Sequence, residues 1–442
     1  MISIENVTLM GRNADIEEIE KLANEITVPA IGCRIKITDC PIPEHEDLLQ
    51  KVKAGITQVD IVETGLTKSL SALAASGVLL PLDDLLAEYG RDLLEKEGRL
   101  LHATTIDGQV YALPANLYCG KADGIGYNAD IAEKYGIEVP PEVNMEQLTI
   151  IGENLKEKGS SVYLTTQGDG SLTMFDSFYE TELFSGDAVY GVILNPTENT
   201  KIVNLFETEE YRAYLKIIKE WKDKGLIPSD TLLSGKNGQE MFNNEEVFFQ
   251  FSSVSPQTVM NTPHKGLAFE ERYVPIVRNR LTTRQAQEFA WGITKGCLNP
   301  DKAMALLNLI YTNTDLCNLL QYGRAGIDYE LIGENTIRTI EGTEQRPRYS
   351  SYFSIFGDSA LMYQYETDYG ISMDDIREFA AQSQETLTFG YVFQTDAVAG
   401  ETGAVFACLG ESHFCTKISH ICSIKRIFQI YIISLKMQGP MF

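Results

Sequence analysis

Two rhythms of apolar and polar positions alternate through the first third of this chain. "NVTLMG" (6–11) reads as a short strand, "CRIKITD" (33–39) alternates apolar and polar as strands do, and "VDIVET" (59–64) suits a buried strand. Between them, "DIEEIEKLANEI" (15–26) places Ile16, Ile19, Leu22 and Ile26 at helical spacing, and "EHEDLLQKVKAG" (44–55) is amphipathic up to Gly55. Strand, helix, strand, helix, strand predicts βαβ units and a mainly parallel sheet. Ligands of such sheets sit beyond the carboxyl ends of the strands, which marks the loop Glu63-Thr64-Gly65 as a first candidate binding edge.

Further along, "SLSALAASG" predicts a helix stopped at Gly77, and Asp83 and Asp84 open another. In "IDGQVYALPANLYCGKADGIGYN" (106–128) Asp107-Gly108 is a hairpin signal, Pro114 ends the strand, and the chain must leave the sheet there. Residues 206–225 form an amphipathic helix with Tyr211, Tyr214, Leu215, Ile218 and Trp221 as its expected buried stripe. A strand over Phe289–Thr294 leads to a helix opened by Asn299-Pro300, and Asp315 opens the next, which ends near Gly323. No fixed-period repeat or low-complexity linker interrupts the sequence, so its domains are joined by short crossings.

With 442 residues, 44% of them hydrophobic, the chain can form two or three domains with substantial cores. Its net charge of −25 repels nucleic acid and anionic lipid, which argues against either as a partner. No run of eighteen apolar residues offers a spanning helix. Cys33, Cys40, Cys119, Cys297 and Cys317 show no CxxC spacing; they read as small buried thiols, and Cys33 and Cys40, on opposite sides of one strand, make a poor disulfide.

Catalytic motifs are missing from the text of the sequence: no GxSxG elbow, no HExxH, no Walker loop. His45, His102 and His264 lie far apart and suit surface or structural roles, so neither a catalytic triad nor a metal is expected, and no cofactor. Paired carboxylates could serve a glycosidase, but nothing singles out a pair among 62 acids. Binding is the economical reading. The 21 tyrosines and 19 phenylalanines, many outside regular periodicity as in "RYSSYFSIFGDSALMYQYETDYG", supply rings that stack on sugar faces while Asn, Asp and Ser meet hydroxyls.

"GVLLPLDDLL", "IDGQVYALP", "GYNADIAEKYGIEVPPE" and "FAWGITKGCLNPDKAMALLNLIYTNTDLCNLLQYGRAGIDYEL" follow one another in an order and spacing that resembles the extracellular solute-binding proteins, family 1, of ABC sugar importers. "YSSYFSIFGDSALMYQY" and "TLTFGYVFQTDAV" are similar to the Gram-positive branch with a DUF3502 C-terminal region. The resemblance, over about residues 5–400, implies an α/β fold of the two-lobed periplasmic-binding-protein type (type II), each lobe a mainly parallel sheet flanked by helices, with hinge crossings between them. It implies a first lobe of 1–114 with 288–335, a second of 115–287 with 336–384, the start of the DUF3502-like region at 385–405, and an atypical tail at 406–442.

It further implies a monomeric receptor that captures a carbohydrate, an oligosaccharide in particular, in the interlobe cleft by hinge closure and delivers it to ABC permease subunits. Trp291 and Tyr118 are expected to stack on the sugar, Asn116, Asp176, Ser253 and Asp358 to bind hydroxyls, and Thr64 to stand at the first-lobe edge. Trp291 has a competing role as a wedge in the hinge strand, and Asp358 stands where related sequences tend to carry Asn. A secreted carbohydrate-active enzyme and a truncated, non-functional receptor are the alternatives.

Both ends depart from the family, whose members are cell-surface lipoproteins with a leader and a lipidated cysteine. "MISIENVTLMG" has neither a basic n-region nor an apolar h-region, which points to a trimmed or misplaced start. "CLGESHFCTKISHICSIKRIFQIYIISLKMQGPMF" is basic and Cys-rich; Cys408, Cys415 and Cys422 recur every seven residues, yet the abrupt change of composition fits an out-of-frame or unnatural terminus better than a zinc site.

Overall fold

The computed structural model describes residues 1–9, 11–166, 172–185, 188–228, 238–256, 267–340, 348–351, 356–366 and 371–392. The Cys-rich tail and His264 lie outside them. Two compact units divide the chain, one built from Met1–Cys119, Leu281–Ala381 and Phe389–Val392, the other from Gly120–Arg280 and Gln382–Thr388.

In the first unit, β1 (Ile2–Thr8), α1 (Ile16–Ile31), β2 (Ile35–Pro41), α2 (Ile42–Lys53), β3 (Ile61–Thr64) and α3 (Leu70–Ala75) follow the predicted alternation. β1 begins four residues before the sequence expectation, and all seven of its residues are buried. β2 and β3 flank β1 in parallel register. The strand Ala290–Ile293 then joins β3 antiparallel, and Leu113–Pro114 closes the sheet beside it. Successive residues serve opposite faces: Ile61 packs into a core with α1 and the helices Pro300–Ile310 and Thr314–Tyr322, while Val62 packs with Leu49 of α2 and Leu70 and Leu73 of α3. The predicted hairpin is present, with Asp107 and Gly108 both at positive φ (51° and 79°), as a two-residue turn that matches strand twist requires.

The second unit departs from the parallel expectation. One of its sheets sets Asp123–Asn128 between Phe249–Ser253 and Glu271–Pro275, antiparallel to both. A Cβ on Gly124 would stand 2.2 Å from the backbone carbonyl oxygen of Val274 on the neighbouring strand, so the central strand carries glycine there because the backbones approach too closely for a side chain. The helices Met145–Glu157 and Glu209–Asp223 cover this sheet through Leu148, Ile151, Leu155, Tyr214, Ile218 and Trp221. Leu215, expected in the buried stripe, is 41% exposed; four residues already fill the stripe, and Leu215 falls beside it.

The chain passes between units at 119/120 and 280/281, and not at 114/115 and 287/288 as the resemblance implied. Packing explains the shift: Ala115 and Cys119 are buried among first-unit residues, as are Leu281 and Ala286. Residues 336–381, expected in the second lobe, belong to the first unit, where Tyr349 and Phe356 enter its core. The five body cysteines are buried free thiols, as read from the sequence.

Candidate functional site

In the first unit the site candidates gather on the stretch that follows Pro114. Asn116 Oδ1 accepts the Tyr118 amide at 2.9 Å, a local turn that replaces strand pairing once proline has ended it. Tyr118 then donates its hydroxyl to Asp358 Oδ1 at 3.1 Å. Asp358 is 4% exposed, so its charge needs partners: Lys96 Nζ stands 2.5 Å away, and the Ala360 amide donates at 2.9 Å, making Asp358 the cap of a short 3₁₀ turn. Burial, reinforced by Asp358, pushes the Tyr118 phenol above its usual range, with Arg377 pulling the other way. Sequence reading singled out Asn116, Tyr118 and Asp358 separately; Lys96 and Arg377, which complete the network, sit on ordinary amphipathic helices and gave no signal.

Trp291 lies in the core of the first unit, away from the crossings. Its indole is 1% exposed and stacks on Phe356, ring centres 5.2 Å apart with planes 21° from parallel. Thr64 is fully buried beside it, its hydroxyl donating to the Ala290 carbonyl at 3.1 Å. Both side chains are therefore closed to solvent, and Asp358 is engaged by its own neighbours.

The second unit assembles a separate polar cluster at the start of its central strand. Asp123 receives Arg280 Nη2 at 2.9 Å and Lys121 Nζ at 2.8 Å, and Ser253 lies opposite it in the ladder. Asp176, on the helix Leu172–Phe178, accepts the Thr181 hydroxyl at 2.7 Å. Burial raises the Asp176 carboxyl; the Thr181 bond opposes that, nearby Asp123 adds to it, and Lys121 and Arg280 oppose it. Asp176 and Ser253 are thus brought to one cluster, whereas Asp123 and Arg280 were missed. An acid at the head of an apolar strand was the available signal for Asp123. No group of three or more metal-ligating side chains occurs among the described residues.

A family model described as bacterial extracellular solute-binding protein matches residues 42–315. A carbohydrate ABC transporter substrate-binding protein of Streptococcus pneumoniae serotype 4 (strain ATCC BAA-334 / TIGR4) is 23% identical over 398 residues, 88% of this chain and 78% of that one. Among solved structures, the N-glycan transport solute binding protein NgtS of Streptococcus pneumoniae superposes with a TM-score of 0.78 at 22% identity, covering 93% of this chain and 89% of that one. Its complex with Man5GlcNAc gives 0.67 at 20% identity, covering 99% and 95%. At this identity the structures establish the shared fold.

Proposed function

Since this chain belongs to the bacterial extracellular solute-binding protein family, we propose that it is the receptor of an ABC importer that captures a carbohydrate, specifically an oligosaccharide, by hinge closure and delivers it to the permease. The observation that carries the solute class is the similarity, over 88% of the chain, to a carbohydrate ABC transporter substrate-binding protein. The polar clusters fit that chemistry. Asn116 and Tyr118 on the first unit, and Asp176 and Ser253 on the second, combine donors and acceptors with a flat ring, the set that neutral hydroxyl-rich solutes require. Trp291, Thr64 and Asp358 hold the first of these surfaces in place. Cell-surface attachment through a lipidated cysteine and a monomeric state belong to the same proposal.

Thermal melting with a glycan panel tests it. A bound oligosaccharide such as Man5GlcNAc at 100 times its Kd stabilises the folded state by about 2.7 kcal/mol, a readable upward shift in Tm. Shifts with peptides or amino acids and none with glycans would replace the solute class. Release of reducing sugar from the same glycans would replace a receptor with an enzyme.

A further inference from the structure

Beneath the loop after β3 lies a polar group that folding alone does not call for. Glu5 of β1 and His45 of α2 are both fully buried, with His45 Nε2 3.3 Å from Glu5 Oε1, an ion-pair distance without hydrogen-bond alignment. Their outer atoms reach the end of β3 and the loop beyond it: Glu5 Oε2 accepts the Glu63 amide of the strand at 2.9 Å, and His45 Nδ1 meets the Thr67 hydroxyl of the loop at 2.5 Å. Two further anchors act from the side. Thr64 is bonded to Ala290, and Gly65, at φ 96°, lies so close to the helix Thr283–Gln287 that a Cβ would stand 2.1 Å from the Gln287 carbonyl oxygen. The turn is closed by Gly65 N–H donating to the Lys68 carbonyl at 2.9 Å, and Lys68 Nζ pairs with Glu46 on α2.

Burying a carboxylate with an imidazole is costly, and an apolar pair of the same volume is often as stable or more so. A connecting loop does not need its entry strand and its own residues anchored at four points. A loop that must present fixed atoms to a solute does, and this one leaves the carboxyl end of β3. We propose that Glu5 and His45 are positioning residues, which act through Thr67 and the Glu63 amide to hold the 64–68 loop in the conformation that meets the hydroxyls of the solute. The inference rests on the carbohydrate reading above.

Thr67→Val tests it in the full chain, because it removes the hydroxyl at constant shape and leaves the buried pair in place. Titration with Man5GlcNAc is expected to show affinity about tenfold weaker, the loss of roughly one well-made hydrogen bond's positioning. Thr67→Ser should restore it, and His45→Leu combined with Thr67→Val should cost no more than His45→Leu alone. Amide hydrogen exchange supplies an arm that needs no sugar: exchange at 64–68 should quicken in Thr67→Val while the remainder of β3 stays protected. Unchanged loop exchange together with unchanged affinity overturns the positioning role, as does a serine variant as weak as the valine one. A wild-type chain silent to every glycan, but with loop exchange that responds as described, overturns the carbohydrate reading and leaves the latch standing.

Discussion

Glu63 and Glu97 sit inside the first unit at 0% and 1% exposure, and none of their four carboxyl oxygens has a hydrogen-bond partner among the described residues. Burial raises both well above the ordinary carboxyl value of 4.5, with Glu5 adding to it at Glu63 and Asp358 at Glu97. An acid whose folded value lies above its unfolded one favours the folded state in acid; that contribution is full below about 4.5 and is lost as pH climbs through the raised value. Glutamine keeps the shape and removes the titration. Glu97→Gln is therefore expected to melt close to wild type at pH 4 and to gain on it steadily towards pH 8, by on the order of 1–3 kcal/mol. Melting curves across that range check it; a variant equally destabilised at both ends would show that the protonated acid serves as a donor. A buried carboxyl with no partner cannot be read from a sequence in which 62 acids look alike, since only the packing around it raises its pKa.

At the scale of the element, sequence reading succeeded where period and cap agree. α1 follows Ile16, Ile19 and Ile26, and the helix Glu209–Asp223 follows Tyr211, Tyr214, Ile218 and Trp221 behind a Thr208 cap. It faltered where tertiary burial overrides pattern: the fully buried β1, the antiparallel second sheet, and the crossing points, which depend on which core admits Ala115 and Cys119. The candidate site divides the same way. Asn116 and Tyr118 drew notice because the resemblance places a crossing just after the proline that ends the strand before them, whereas Arg280 and Lys96 join their clusters only through partners distant in sequence. The corrected stripe of the helix Glu209–Asp223 makes a paired prediction. Trp221, fully buried with its indole N–H donating to Thr149 at 2.7 Å, should cost about 3–5 kcal/mol on conversion to Ala. Leu215→Gln, on the exposed edge of the same helix, should stay within about 0.5 kcal/mol. Urea unfolding of the two variants measures both, and a large loss for Leu215→Gln would return that residue to the buried stripe.

For the whole molecule, the governing quantity is a net charge of −25 and its bearing on the solute. Charges of one sign spread over a surface raise a potential that reaches about one Debye length, roughly 10 Å at 0.1 M salt. A neutral oligosaccharide does not feel that potential, so its capture depends on short-range donors, acceptors and ring faces, which salt leaves alone. Affinity for Man5GlcNAc is accordingly expected to stay within about twofold between low and high salt. A solute bearing carboxylates should behave otherwise, binding more tightly as salt screens its repulsion from the acidic chain, and a cationic one should weaken. Calorimetric titration at two ionic strengths thus reads the charge class of the solute directly. A steep decline in affinity with salt would point to a cation, and the neutral-sugar assignment would have to be abandoned even if some glycan still shifted the melting curve.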